Sequence, residues 1–144
     1  MLQKAIEIAV VAHKNQVDKN GQPYIGHVLR VMKMGGTEDE KICGVLHDLV
    51  EDTNWTFEML RQEGFSDEII SALVCLTKTT YDEVYNAFIV RVMTNRLAIK
   101  VKINDLIDNL DVKRMNQLTV HDMHRINKYL KAYHILIKMN NEWN

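Results

Sequence analysis

The chain contains 144 residues, of which 47% are hydrophobic, and its 18 lysines and arginines against 19 acidic residues give a formal charge of −1. This length and composition predict a single globular domain over residues 1–144. The near-neutral charge argues against a general nucleic-acid or anionic-membrane binder, since such proteins carry a basic excess. No stretch approaches the roughly 20 apolar residues that cross a bilayer. From the charge and the absence of such a stretch, we expect neither nucleic acid nor membrane as a partner.

Cysteine, glycine and proline usage narrows the class further. Cys43 and Cys75 lie far apart in apolar helical patterns, which indicates free thiols and a reducing, cytoplasmic location. One proline and six glycines are few for a many-turned β fold and favour helices. Nothing in the sequence predicts an oligomeric state.

Apolar residues recur at helical spacing along the chain and predict an all-α fold, a compact bundle of about seven to nine helices. The predicted helices span 2–16, 24–35, 39–50, 57–64, 67–76, 82–95, 96–111 and 119–139. Thr37 and Glu40 form a capping box at the start of the third helix, and Thr56 and Ser66 are N-cap candidates for the next two.

The strongest chemical feature is the run His47-Asp48-Leu49-Val50-Glu51-Asp52 at the end of an otherwise apolar helix. A helix that runs into a solvated acidic loop would explain Glu51 and Asp52. It would not explain His47 and Asp48, because an unpaired charge in an apolar helix is costly to bury. If the helix continues through this run, His47 lies over Glu51 and Asp48 over Asp52. His47 and Asp48, which are residue types that bind metal ions, then lie beside the carboxylates of Glu51 and Asp52.

Two further residues are candidate ligands, because one histidine–aspartate pair does not hold an ion tightly. His27 begins the second helix, where a lone histidine would more simply be a polar residue at a helix start. Asp105 shares a helix face with Asp108 and Asn109, and Asn and Asp, mediocre helix formers, fill five of the eight positions 104–111. An ordinary polar face is the alternative there. Two imidazoles and two carboxylates suit Mn²⁺, Fe²⁺ or Zn²⁺, and a neighbouring carboxylate could then deprotonate water.

These residues resemble the H…HD…D signature of the HD-domain metal-dependent phosphohydrolases. The flanking segments are similar to the hydrolase domain of the RelA/SpoT alarmone proteins. They are A-H-x-x-Q at 12–16, K-x-G-x-P-Y-I-x-H at 19–27, H-D-x-x-E-D-T at 47–53, L-T-K at 76–78 and V-K-I-x-D-x-x-x-N at 101–109. The resemblance covers residues from about 4 to about 115, most of the chain.

The resemblance implies an all-α fold with a metal ion, usually Mn²⁺, between the helices, and removal of the 3′-pyrophosphate from (p)ppGpp. The metal ligands that it implies are His27, His47, Asp48 and Asp105. The residues that it implies for handling the attacking water are Glu51 and Asp52, and those for contacting substrate are Lys19 and Asn109.

Other polar residues near these motifs are weaker candidates. Lys102 lies within one turn of an implied ligand and is our first choice for a further phosphate contact. Tyr24 could stack on a base or pack at the rim of a site. Tyr81 and Tyr85 lie between two predicted helices, where packing is the simpler expectation than covering a pocket. His13 faces the apolar side of the first helix and is expected to be a hydrogen-bonded structural residue.

Four positions depart from the pattern of the alarmone hydrolases, where basic or polar side chains usually contact the nucleotide: Asp18, Leu106, Asp108 and Val112. The implied metal ligands are retained while the substrate contacts are altered. We therefore expect a metal-dependent phosphohydrolase acting on a nucleotide, with (p)ppGpp or a related pyrophosphorylated nucleotide as the leading substrate. The alternatives are a 5′-nucleotidase-like phosphomonoester hydrolase and a catalytically weak nucleotide-binding sensor.

Overall fold

The structure, a computed structural model, describes residues 1–80 and 82–143. These residues form α1 (Leu2–Ala12), α2 (Ile25–Met34), α3 (Glu38–Leu46), α4 (Leu49–Asp52), α5 (Phe57–Gln62), α6 (Asp67–Leu76), α7 (Tyr85–Val92), α8 (Arg96–Asn109) and α9 (Val120–Trp143), with a 3₁₀ turn at Val112–Arg114. The predicted all-α fold is confirmed, and the packing expected of Tyr81 concerns a residue outside the described ones. No helix in the described ranges combines the length and apolar character that a bilayer crossing requires.

Side-chain caps fix where several helices begin. The hydroxyls of Thr37, Thr56 and Ser66 accept backbone N–H groups at the starts of α3, α5 and α6, as predicted. Asn95, which the sequence analysis did not single out, caps α8 through the amide of Ala98. Each cap satisfies a donor that the helix itself leaves unpaired, so the helix starts are set locally.

The core is centred on α3, which packs against α1, α2, α6 and α8. Ile42, Cys43, Val45 and Leu46 are all buried there. A Cβ atom at Gly44 would lie only 3.0 Å from the Cα atom of Met32, so the absence of a side chain lets α2 and α3 approach closely. This close approach brings the histidines of the two helices toward each other.

The third helix differs from the expectation of one continuous element over 39–50. It ends at Leu46, Asp48 takes the dihedral angles φ −102° and ψ 1°, and a single turn then forms α4. The carboxylate of Asp48 contacts Tyr24, His27 and His47, and Leu49 is fully buried. These long-range contacts hold the chain in a kinked path that local periodicity does not reveal.

Candidate metal centre

Four side chains from three parts of the fold converge on one point. The Nε2 atom of His27, from α2, lies 3.0 Å from Oδ1 of Asp105, from α8. The Nε2 atom of His47 lies 3.1 Å from Oδ2 of Asp48 and 3.3 Å from Oδ1 of Asp105. All four residues that the resemblance implies as ligands are therefore together. The donor atoms of His27, His47 and Asp48 lie within 4.8 Å of one another, close enough to hold a metal ion.

Hydrogen bonds on the far side of each imidazole determine which nitrogen faces this cluster. His47 Nδ1 is 2.7 Å from the carbonyl oxygen of Gly44, which can only accept, so Nδ1 carries the proton. His27 Nδ1 likewise donates to the Asp108 carboxylate at 2.6 Å. In the neutral imidazoles both Nε2 atoms then direct a lone pair toward carboxylate oxygens. Such outer bonds are typical of histidines that bind metals.

Within the described part of the chain, the buried Nε2 atom of His47 makes no well-aligned hydrogen bond, although two carboxylate oxygens lie within 3.3 Å of it. A lone pair buried among anionic oxygens requires a positive charge, which a proton or a metal ion can supply. The donor set of two imidazole nitrogens and two carboxylates is one that divalent transition ions accept. The residues present therefore fit a metal ion.

In the absence of a metal ion, the carboxylates retain protons on the two histidines. Burial lowers the pKa of His27, but hydrogen bonds with Asp105, Asp108 and Asp48 outweigh it and raise the pKa to about 11. Burial also lowers the pKa of His47, and the charges of Asp48 and Asp105 raise it to about 10. Burial raises the pKa of both Asp48 and Asp105, but neighbouring charges, chiefly His47 and Lys102 respectively, bring it well below its usual range.

Three predicted substrate contacts also support the candidate ligands. Lys102 Nζ lies 2.7 Å from Oδ2 of Asp105, and Asn109 Nδ2 donates to its Oδ1 at 3.0 Å. The hydroxyl of Tyr24 donates to Asp48, and its ring lies between the rings of His13 and His27. All three residues also line the cavity. Their contact with a substrate there stays a prediction.

Asp108 has a role different from the altered substrate contact that we expected. Its carboxylate, 4% exposed, bonds His27 and also pairs with Arg30 at 2.7 Å and Arg114 at 3.5 Å. Burial raises the pKa of Asp108, but hydrogen bonds from His27 and Arg30 outweigh it and lower the pKa to about 2. Its neighbour Leu106 is fully buried in the core. The two departures from the alarmone pattern therefore have structural roles: Asp108 supports the candidate ligand His27, and Leu106 packs in the core.

A cavity of about 380 Å³ lies over the cluster, and Glu51 and Asp52 line it together with the candidate ligands. Burial and the nearby charges of Asp48 and Glu51 raise the pKa of Asp52 to about 6. A carboxylate with this pKa can accept a proton near neutral pH. The Oε1 atom of Glu51 accepts the backbone N–H of Lys78 at 3.0 Å, which ties α4 to the end of α6.

Cationic side chains that the sequence analysis did not assign to the site also line the cavity. They are Arg30, Lys78, Arg114, Arg125 and Lys128, which join the predicted Lys19 and Lys102. Burial and then neighbouring positive charges lower the pKa of both Lys19 and Lys128. In the described part of the chain, Lys19, Lys78 and Lys128 have no carboxylate within ion-pair distance. These three lysines are therefore cationic groups on the cavity wall that the total charge of the chain could not reveal.

Aromatic residues also line the cavity. Lys128 Nζ lies 4.5 Å from the ring centroid of Tyr85 and 5.4 Å from that of Tyr129. The buried Tyr85 hydroxyl has no hydrogen-bond partner in residues 1–80 and 82–143, and Tyr85 lines the cavity rather than serving packing alone. Arg125, Lys128 and Tyr129 have the spacing i, i+3, i+4, so one face of α9 presents all three. That spacing was the signal in the sequence that could have identified them.

No family model matches the chain. It is 29% identical over 120 residues to the guanosine-3′,5′-bis(diphosphate) 3′-pyrophosphohydrolase of Aquifex aeolicus, covering 76% of this chain and 17% of that protein. It is 30% identical over 125 residues to the GTP pyrophosphokinase of Streptomyces coelicolor, covering 78% and 15%. The chain thus spans less than a fifth of the length of the curated relatives that it matches.

The protein is RelA/SpoT-like. A relative from Borreliella burgdorferi, also named a guanosine-3′,5′-bis(diphosphate) 3′-pyrophosphohydrolase, is 39% identical over 79 residues, which cover 52% of this chain and 12% of that protein. The fold is similar to a solved structure described as a metazoan ortholog of SpoT that hydrolyses ppGpp. Its TM-score is 0.79 at 21% identity, with 98% of this chain and 92% of that chain covered. The RelA/SpoT-like chain therefore shares the helical architecture of that enzyme.

Proposed function

We propose that this chain is a metal-dependent phosphohydrolase that removes the 3′-pyrophosphate from (p)ppGpp or a related pyrophosphorylated nucleotide. The observation that carries the proposal is the convergence of His27, His47, Asp48 and Asp105 beside the free carboxylate of Asp52 in one cavity. The names of the sequence relatives and of the structural neighbour support this substrate.

The candidate ligands would hold Mn²⁺, or Fe²⁺ or Zn²⁺, which accept the same donors. A divalent cation at this position supplies the positive charge that activates water and stabilises phosphoryl transfer. Asp52 takes the proton as the water oxygen bonds to phosphorus, and Glu51 helps to orient the water. The bond between the 3′-oxygen and the pyrophosphate breaks, and the leaving 3′-oxygen takes up a proton from solvent, which yields GDP or GTP and free pyrophosphate.

The cationic wall accounts for how a polyanionic nucleotide would bind. Among the described residues, Lys128 and Lys19 have no carboxylate partner and the buried Nη1 atom of Arg125 has no acceptor, so these groups favour phosphate oxygens. Lys102 and Asn109, which lie between Asp105 and the cavity, would contact the phosphate or the sugar. A nucleotide substrate and free thiols at Cys43 and Cys75 favour a cytoplasmic enzyme.

The experiment that tests the proposal offers metal-loaded protein a panel of nucleotides and assays pyrophosphate and orthophosphate separately. We expect pyrophosphate from ppGpp with the wild type and none above background with Asp52→Asn. Orthophosphate from nucleoside monophosphates would instead indicate a 5′-nucleotidase-like enzyme. Tight nucleotide binding with no turnover, unchanged by Asp52→Asn, would indicate a sensor.

A further inference from the structure

The polar residues of the A-H-x-x-Q segment, His13 and Gln16, are hydrogen-bonded to the turn that carries Asp52. His13 Nδ1 lies 2.8 Å from Oε1 of Gln16, and Nε2 of Gln16 donates to the backbone carbonyl of Asp52 at 3.1 Å. His13 is 2% exposed, so this chain of two hydrogen bonds runs from the interior to α4.

The helix α4 needs such support because it is only four residues long. One isolated helical turn is unfavourable, and its last carbonyl groups have no partners within the helix. The Thr53 hydroxyl satisfies the carbonyl of Leu49 from within the same turn. Gln16 satisfies the carbonyl of Asp52 from another part of the chain, and it thereby fixes the backbone from which the Asp52 side chain projects.

The directions of these bonds are set by the groups that can only accept. Because the Asp52 carbonyl accepts, Gln16 must direct its amide nitrogen there and its oxygen toward His13. His13 must then carry its proton on Nδ1, which leaves a buried Nε2 atom that has no hydrogen-bond partner among the residues the structure describes. The His13 ring also lies 5.4 Å from the ring of Tyr24, whose hydroxyl donates to Asp48.

We infer that His13 and Gln16 are positioning residues that hold α4 so that the Asp52 carboxylate faces the metal cluster. This inference rests on the proposed function for the catalytic role of Asp52. It does not rest on that function for the hydrogen bonds, which can be measured without any substrate.

The test compares isosteric variants in ppGpp hydrolysis. We expect Gln16→Met to lower kcat by about ten- to a hundredfold with KM changed less than about twofold, because a small displacement of a catalytic group reduces rate strongly. Gln22→Met, on the same loop, is the control. His13→Asn keeps an N–H donor at the Nδ1 position and should retain more activity than His13→Gln, which does not. Equal losses in the two His13 variants, or equal kcat in the two glutamine variants, would overturn the inference.

Amide hydrogen exchange provides a readout that needs no activity. The amides of Asp52 and Thr53 bond the carbonyls of Asp48 and Leu49 within α4. We expect Gln16→Met to accelerate exchange of these two amides by about tenfold, with the amides of α8 unchanged. Unchanged exchange in α4 would contradict the inference. If the wild-type protein hydrolyses no nucleotide but Gln16→Met still accelerates exchange in α4, the positioning role is supported and the proposed function is refuted.

Discussion

The Nδ1 atom of His27 donates to the Asp108 carboxylate across 2.6 Å, and this bond determines which imidazole nitrogen faces the candidate metal centre. Arg30 and Arg114 neutralise Asp108 from the other side, so the carboxylate stays ionised although it is buried. Asp108 therefore supports the predicted ligand His27, although the alarmone enzymes usually have another residue at this position.

Replacing Asp108 with asparagine should weaken metal binding without removing any ligand. The neutral amide is a poorer acceptor for His27 and a weaker partner for Arg30 and Arg114, so we expect Mn²⁺ affinity to fall about ten- to a hundredfold. Isothermal titration of Mn²⁺ into the variant measures this change. Asp111→Asn, which loses a partner of Arg114 but no contact with His27, should bind as the wild type does. Equal affinity in Asp108→Asn and the wild type would contradict this role.

Metal binding should release protons. At pH 7 both His27, with a pKa of about 11, and His47, with a pKa of about 10, are protonated in the metal-free protein. A metal ion requires their Nε2 lone pairs, so we expect release of about two protons per ion and an affinity that rises with pH. Titrations in buffers of different ionisation enthalpy count these protons. Heats of binding that do not depend on the buffer would contradict the expectation.

Adding a methyl group at Gly44 should separate α2 from α3. The new Cβ atom would meet backbone atoms of Met32 at 3.0 and 3.1 Å, and backbone cannot yield as a flexible side chain can. We expect Gly44→Ala to lower the free energy of unfolding by about 1–3 kcal/mol. Urea denaturation checks this value, with Gly36→Ala as the control, because a Cβ there meets only a side-chain atom at 3.6 Å. Equal stability of the two variants would argue against a close helix approach.

Lys128 should contribute to substrate binding rather than to chemistry. It lies over Tyr85 and Tyr129 on the cavity wall and has no carboxylate partner among the described residues. Losing a charged hydrogen bond to phosphate should raise KM for ppGpp about tenfold in Lys128→Gln and leave kcat within about twofold. Lys131→Gln, an exposed lysine on the same helix, is the matched control. A fall in kcat with unchanged KM would place Lys128 in the reaction instead.

Sequence alone predicted the all-α class and a ligand set that the fold brings together. Both rest on signals that are local or carried by motifs, such as the cap at Thr37 and the adjacent pair His47 and Asp48. The kink at Asp48 was not predicted, because its causes are contacts with residues more than 20 positions away. Helical periodicity carries no information about such contacts.

The surroundings of the cluster were harder to predict than its ligands. The sequence indicated that Asp108 is an altered substrate contact. The fold instead places it against His27 and Arg30, which lie about 80 residues earlier in the chain. Arg125 and Lys128 were missed because the total charge says nothing about where basic residues lie, and only the fold places these two at the cavity. Their i, i+3 spacing shows that they share a helix face, but the sequence does not show that this face borders the cavity.

The most direct test of the metal centre is a crystal structure of the protein grown with Mn²⁺, with anomalous data collected on both sides of the manganese absorption edge. We expect one strong peak among the Nε2 atoms of His27 and His47 and the carboxylates of Asp48 and Asp105, and its loss in His47→Ala. A peak elsewhere in the molecule, or none in protein that has bound the ion in solution, would contradict the assignment of these four residues as its ligands.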